Sequence, residues 1–300
     1  MDTTEPSWDF YRSFLAVLQH GSLSAAAREL GLTQPTLGRH IDALEKAIGA
    51  KLFTRSQHGL QPTEAAADLQ PYAETLAATT AALRRSASGR RGVVSGTVRI
   101  SASEIIAVEV LPAILATLQD AHPGLTIELS ASDAVEDLLQ RQADIAVRMA
   151  EPSQAALVVR RIGDIKLGFF AHSRYLERHG VPQALDDLSR HRLIGFDHQS
   201  AYVRMMLKRY PLLKPERFVF KADSNLAQLA AIRAGIGIGL CQRPLGQASS
   251  DLVHLLPETE LQLGAWVAMH ENLKTSPRCR VTFDALVAGL LAYVAGTDAR

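Results

Sequence analysis

The sequence has few cysteines, little net charge and no long apolar run, and each shortage excludes something. Two cysteines in 300 residues, Cys241 and Cys279, cannot form a disulfide framework, so the expected compartment is the cytoplasm. Lys and Arg number 32 against 31 Asp and Glu, a formal net charge of +1. A nucleic acid must therefore be held by well-placed groups and not by an overall basic field. No apolar stretch reaches the roughly 20 residues of a membrane helix, and Met1–Asp9 is polar and acidic, unlike a secretory leader. No membrane partner is expected. There is no Gly-x-Ser-x-Gly elbow, P-loop or His-Glu-x-x-His, and the ten histidines lack metal-ligand spacing; His191 and His198 are the nearest loop pair. Catalysis, a resident metal and a cofactor are not expected. What remains is 47% apolar and 21% charged, ordinary globular usage with length for two or more domains.

The informative stretch is residues 22–62. Ser22 can cap a helix running through Ala25, Ala26 and Ala27 to Leu30, with Gly31 as its left-handed stop. Thr33 can cap a second helix, with Pro35 in the first turn where its missing N–H costs nothing. Helix, short glycine-containing turn, helix is the pattern of a helix-turn-helix. On the second helix Leu37, Ile41 and Leu44 form an apolar stripe. Pro35, Arg39, Asp42 and Lys46 lie opposite, with Gln34 and Thr36 on the first turn. Such a helix reads bases with its N-terminal residues: Gln can pair with adenine, Arg with guanine, and a Thr methyl can touch thymine. Taken alone, the pattern also fits a surface helix of a small bundle.

The next residues decide between these readings. Lys51-Leu52-Phe53-Thr54-Arg55 reads as a strand, His58-Gly59 as a turn, Leu60-Gln61 as the return strand, and Thr63 as the cap of another helix. A hairpin behind a recognition helix is a wing, from which Arg55 and His58 can reach phosphate or the minor groove. The candidate DNA-contact set is Ser22, Ser24, Thr33, Gln34, Pro35, Thr36, Arg39, His40, Arg55 and His58. In residues 33–60 the bases Arg39, Lys46, Lys51 and Arg55 barely outnumber Asp42 and Glu45. Affinity must therefore come from placement, helix N-termini and the doubling of sites in a dimer.

Leu23-Ser24-Ala25-Ala26-Ala27, Thr33-Gln34-Pro35-Thr36-Leu37, Leu44-Glu45, Leu52-Phe53-Thr54-Arg55 and Pro62-Thr63-Glu64-Ala65 together resemble the N-terminal signature of LysR-type transcriptional regulators. The likeness is dense over about the first 90 residues. Gly38 departs from it, standing where the family usually has a small polar residue, often Ser. The resemblance implies a sequence-specific regulator of double-stranded DNA, responsive to a small-molecule effector. It also implies a homodimer, commonly assembled as a homotetramer (a dimer of dimers), that works with RNA polymerase.

Along the chain, Trp8–Gln19 carries Phe10, Phe14, Leu15 and Leu18 at helical spacing and reads as the first helix of the DNA-binding domain. From Thr63 to about Arg85, Leu69, Tyr72, Leu76, Thr79 and Leu83 follow the 3-4 spacing of a coiled-coil seam. A lone helix of this kind needs a partner. Pro71 should kink it, and Pro71-Tyr72-Ala73 matches the family's linker helix. Leu69, Tyr72, Leu76 and Leu83 are the expected dimer contacts, and Arg84–Gly92 is a hinge-like connection.

From Val93 the texture becomes alternating strands and helices. Strands are expected at Thr97–Ser101, Leu125–Ser130, Asp144–Met149, Lys166–Ala171, Leu193–Phe196, Arg217–Ala222, Ile236–Cys241 and Leu263–His270. Helices are expected at Glu104–Gln119, Val135–Gln140 and Arg278–Ala292. The rhythm predicts a doubly wound parallel sheet. Gly96-Thr97-Val98-Arg99-Ile100, Ala143-Asp144-Ile145-Ala146 and Ala234-Gly235-Ile236-Gly237-Ile238-Gly239 resemble the LysR-type effector domain, which implies two lobes of periplasmic-binding-protein-like fold. Residues 235–239 follow a helix and precede a strand, the reverse of a dinucleotide loop, so they read as a turn with close backbone packing. The expected organisation is an α-helical winged helix-turn-helix domain over 1–62, a linker helix and hinge over 63–92, and an α/β effector domain over 93–300. In that domain lobe I is about 93–165 with 266–300, and lobe II about 166–265.

Ligands of open α/β sheets bind beyond the carboxyl ends of strands. This rule selects Ser101, Ala102, Ser103, Ser132, Asp133, Arg148, Phe196, Asp197, Asp223, Ser224 and Asn225 for a polar or carboxylated effector. Arg148 is the candidate carboxylate clamp, against a structural ion pair with an acid such as Glu151. Ser103 and Ser224 can equally be helix caps. The rival readings are redox sensing through Cys241 and Cys279, and a small-molecule-binding protein whose DNA-binding half is degenerate.

Overall fold

The structure is a computed structural model describing residues 5–56, 59–87, 94–132, 143–152, 157–197, 204, 213, 215–259 and 261–296. The chain forms two compact units, the first ending at Ala87 and the second comprising the rest of the described chain.

In the first unit, α1 (Trp8–His20), α2 (Leu23–Leu30) and α3 (Gln34–Ile48) each stop at a left-handed glycine: Gly21, Gly31 and Gly49. Ser22 Oγ accepts from the Ala25 N–H at 3.3 Å, and Thr33 Oγ1 from the Thr36 N–H at 3.3 Å. These are the caps that the sequence predicts. Phe14, Leu37, Leu44 and Leu52 are fully buried, with Ile41 beside them, so the apolar stripe of α3 faces the core. β1 (Phe53–Ser56) and β2 (Gly59–Pro62) pair antiparallel. The Leu60 N–H bonds the Gly21 carbonyl at 2.8 Å, and a Cβ on Gly59 would lie 2.7 Å from that oxygen. Only glycine lets the wing sit this close to the end of α1. Thr63 starts α4 (Glu64–Ala87), which contains Pro71.

The second unit is built on one sheet with strand order β10-β6-β11-β5-β3-β4, β9 pairing with β6 as well. The strands are β3 (Gly96–Ala102), β4 (Leu125–Ala131), β5 (Ile145–Arg148), β6 (Leu157–His172), β9 (Gly239–Gln242), β10 (Leu252–Leu255) and β11 (Leu261–His270). A separate pair, β7 (Leu193–Gly195) and β8 (Phe218–Lys221), runs parallel. The helices are α5 (Leu111–Ala121), α6 (Ser173–His179), α7 (Asn225–Arg233), α8 (Arg243–Ala248) and α9 (Pro277–Ala295).

Two expectations need correction. The main sheet is mixed: β3 pairs parallel with β4 and β5, whereas β11 runs antiparallel to β5 and β6, and β6 antiparallel to β9 and β10. The cause is β6, a single strand of 16 residues, which with β11 forms a long antiparallel ribbon. That ribbon shifts register between Ala265 and Trp266, opposite Gly163, beside the residues where the sequence divides the lobes. The helix expected from Glu104 is also interrupted. Ile106–Val110 is a π-helical turn, and the Leu111 N–H reaches back five residues to the Ile106 carbonyl. Pro112 cannot donate to the helical ladder, so the regular helix begins only around it. The strand β10 has no counterpart in the sequence reading, and the helix expected at Val135–Gln140 lies outside the described residues.

One core gathers Ile100, Ile106, Leu111, Ile145, Ile165, Phe170, Ile232 and Leu286; a second gathers Phe169, Tyr175, Leu188, Leu193, Phe218 and Ile238. The tight packing expected of residues 235–239 is present. A Cβ on Gly237 would fall 2.3 Å from the Arg192 carbonyl, and one on Gly239 2.8 Å from Ile232.

Candidate functional site

In the first unit, the candidate surface is the start of α3. Gln34, Pro35 and Arg39 are exposed. The Thr33 and Thr36 hydroxyls lie 2.8 Å apart, and Arg39 Nη2 donates to Thr36 Oγ1 at 3.5 Å. A single capping cluster therefore fixes the first turn and places a guanidinium beside it. Ser24 on α2 and Arg55 on β1 are also exposed, while Ser22 is committed to its cap. His40 is not brought to this surface. Its Nδ1 lies 2.8 Å from Ser13 Oγ and its ring packs on Phe10 at 5.1 Å, so it serves the contact between α1 and α3. His58 lies outside the described residues.

A residue absent from the candidate set fixes the wing to α3. Glu45 is 7% exposed. Its Oε1 accepts from the Leu52 N–H at 2.9 Å and the Phe53 N–H at 3.4 Å, and its Oε2 takes Lys51 Nζ. Burial pushes this carboxyl up, but the bonds from Lys51, Leu52 and Phe53 outweigh it, holding Glu45 below the usual carboxylate range. A charged residue one position after the buried Leu44 was the available signal.

On α4, Leu69 packs into the first unit's core. Tyr72, Leu76 and Leu83 are 76%, 40% and 58% exposed, an apolar row with no cover among the described residues. The exposed row therefore starts at Tyr72, three residues after the Leu69 at which the sequence spacing begins the seam.

In the second unit a cavity of about 100 Å³ lies among Ser103, Ile105, Met149, Leu167, Phe196, Asn225, Gln228, Leu229, Leu240, Cys241, Gln242 and Leu263. Of the residues that the strand-end rule selects, Ser103, Phe196 and Asn225 line it. Ser103 Oγ is buried and has no hydrogen-bond partner among the described residues, a deficit a ligand can fill. The polar groups missed by sequence are Gln228 and Gln242. Gln228 donates to the Ala222 carbonyl at 2.8 Å, and Gln242 Oε1 accepts from Tyr293 at 2.6 Å. Their only sequence signal was an amide side chain in otherwise apolar surroundings.

The other effector candidates lie elsewhere. Arg148, expected as a carboxylate clamp, donates to Ser101 Oγ at 2.8 Å and to the Val147 carbonyl at 3.1 Å, and does not line the cavity. The parallel pairing of β3 and β5, with Ser101 opposite Ala146, brings the end of one strand to the other and explains this correction. Ala102 is buried in the core. Ser132 donates its N–H to the Ala102 carbonyl, and Asp197 and Asp223 are exposed. Ser224 caps α7 and donates to Glu104 Oε2 at 2.8 Å. Asp133 lies outside the described residues.

Both cysteines are buried. Burial pushes the Cys241 thiol up to about 12, so it is protonated and a poor nucleophile. This removes support from the redox alternative.

Comparison with known proteins agrees with the geometry. Residues 8–67 match the family described as "Bacterial regulatory helix-turn-helix protein, lysR family", and residues 91–290 match "LysR substrate binding domain". The chain belongs to the LysR family of transcriptional regulators, with a DNA-binding helix-turn-helix and an effector-binding domain; the family is not one of enzymes. It is 25% identical over 293 residues to the probable HTH-type transcriptional regulator LtrA of Klebsiella pneumoniae, covering 95% of each chain. It is 27% identical over 227 residues to the HTH-type transcriptional activator AaeR of Escherichia coli, covering 74% of each. Among solved structures, full-length CbnR complexed with its target DNA covers 97% of this chain and 99% of its own at a TM-score of 0.65 and 19% identity. The Vibrio cholerae virulence activator AphB covers 94% and 99% at 0.60 and 24%. At these identities both structural likenesses speak for the fold alone. No described helix is long and apolar enough to cross a membrane.

Proposed function

We propose that this regulator reads its operator with Gln34, Pro35, Thr36 and Arg39, and uses Arg55 on the backbone or in the minor groove. It pairs with a second copy through the Tyr72, Leu76 and Leu83 face of α4. Its effector sits in the cavity beside Ser103. The observation carrying the last step is the buried, unpartnered Ser103 hydroxyl in a cavity whose described lining holds no ionised side chain. With Arg148 outside the lining, a carboxylate there would lack a cation and lose its hydration. The effector is accordingly polar but uncharged over the part the cavity holds.

Two arms test this. A nuclease footprint upstream of the protein's own gene, with Arg39→Ala alongside, should show half-sites about one helical turn apart or a multiple of it. The variant should lose about 1–3 kcal/mol on that site and little on random DNA; equal losses would reduce Arg39 to a phosphate contact. Matched probes, an aromatic amide and its carboxylate, should separate in thermal-shift assays of the full chain, only the amide stabilising it. Stabilisation by the carboxylate alone would overturn the uncharged assignment.

A further inference from the structure

The second unit carries another concave site, sharing no residue with the effector cavity. A depression of about 190 Å³ is lined by Arg174, Tyr175, Arg178, His179, Arg192 and the Ala234-Gly235 turn. It is far larger than the roughly 30 Å³ share of one water, and its lining holds three guanidiniums, an imidazole and no carboxylate. Arg174 spends one donor on the Ala234 carbonyl at 2.9 Å. Arg178 and Arg192 make no ion pair and no side-chain hydrogen bond among the described residues. Arg174 and Arg178 are four apart on α6, where like charges oppose each other, so an incoming anion relieves a repulsion.

The scaffold beneath is fixed. Tyr175 is buried, and its hydroxyl bonds the Arg192 N–H at 2.8 Å and His191 Nδ1 at 3.3 Å. The His179 ring stacks on Tyr175 at 4.3 Å and 10°. The Arg192 carbonyl accepts from the Ile238 N–H at 2.9 Å. Backbone positions of the arginines are thus set before any ligand arrives, while the heads of Arg178 and Arg192 keep their donors.

We propose that this depression binds a phosphate group, free or as a monoester, through the guanidiniums of Arg174, Arg178 and Arg192. Guanidinium matches phosphate by bidentate, charge-assisted hydrogen bonds, and three such groups suit a dianion. This second site is independent of the effector reading above.

The test titrates inorganic phosphate, then glycerol phosphate, into the full-length protein by calorimetry at ionic strength held constant with chloride. Saturable binding of one phosphate per chain is expected, weakened at least tenfold in Arg178→Ala/Arg192→Ala. The single reversal Arg178→Glu should weaken it similarly. Both variants alter exposed side chains, so melting without phosphate should match wild type. Tighter binding of the monoester points to a phosphorylated metabolite, and equal binding to free phosphate. Non-saturating binding, or equal affinity in wild type and variants, would overturn the proposal.

Discussion

The two units carry their candidate chemistry in opposite ways. In the first, apart from Ser24 and Arg55, the candidate groups come from one short stretch, Thr33 to Arg39, at the start of a single helix. In the second, the cavity takes Ser103, Met149, Phe196, Gln228, Gln242 and Leu263 from six separate segments. A helix start is a local object, set by a cap and an apolar stripe. A cavity between strands is a product of sheet register, and its lining is defined only once the register is. The first kind of site can tolerate a loosely packed support; the second depends on the whole unit.

The largest test of this contrast concerns a point where the first unit does depend on a residue outside the local stretch. Glu45→Ala leaves the buried Leu52 N–H without its acceptor and removes a bond from Phe53. Each buried donor left unsatisfied costs about 1–3 kcal/mol, and for a domain of this size every 1 kcal/mol is roughly 4–8 °C of melting temperature. The matching change in the second unit is Glu109→Ala, which breaks a bidentate pair to Arg233 at 2.8 and 2.7 Å. That pair is partly exposed, with side chains 20% and 42% accessible, and pairs of this kind contribute about 0–1 kcal/mol. Denaturant unfolding of both variants should therefore show the greater loss for Glu45→Ala. The reverse order would mean that the α3–wing connection is held by packing alone.

The same contrast explains what the sequence could reveal. The three caps Ser22, Thr33 and Thr63, the buried stripe Leu37, Ile41 and Leu44, and the wing are all short-range patterns, and each is found in place. Arg148 illustrates the opposite case. Its position at the end of a strand was readable, but its engagement by Ser101 required β5 to lie beside β3. Gln228 and Gln242 were invisible for the same reason, since nothing local distinguishes a buried amide from an exposed one. His40 shows a smaller failure: it stood in the candidate DNA-contact set next to Arg39, while Ser13 and Phe10 of another helix claimed its ring.

A smaller effect separates the units by pH. His254 stacks on Phe170 at 4.9 Å, and its Nε2 is buried without a hydrogen-bond partner among the described residues. Burial, followed by the charge of Arg243, holds its pKa below the ordinary 6.5. Protonation then favours the unfolded chain. The stabilising contribution is complete above 6.5 and is lost as the pH falls from there through the lowered native value. Glu45, also lowered, acts only below the ordinary carboxylate value of 4.5. Melting followed between pH 7 and 5 should therefore weaken the second unit first, and His254→Gln should flatten that part of the profile. An unchanged profile in the variant would assign the dependence to other groups such as His191, whose pKa is also lowered, by burial and then by the charge of His179.

The smallest expected effect bears on whether the recognition helix is tuned for stability. Gly38 lies within α3, and a Cβ added there meets nothing within 4 Å. Glycine inside a helix is less stable than alanine by about 0.5–1 kcal/mol, so Gly38→Ala should raise the melting temperature of the first unit by a few degrees. Gly38→Ser restores the small polar residue usual in the family and should stabilise less, because serine is the weaker helix former. The two variants separate helix stability from chemistry on the DNA. If both bind operator equally well, the glycine merely loosens α3. If serine binds more tightly than alanine despite its lower stability, a hydroxyl at position 38 contacts the DNA, and this chain dispenses with that contact. Tighter binding of wild type than of either variant would mean that the duplex backbone approaches α3 too closely for any side chain at this position.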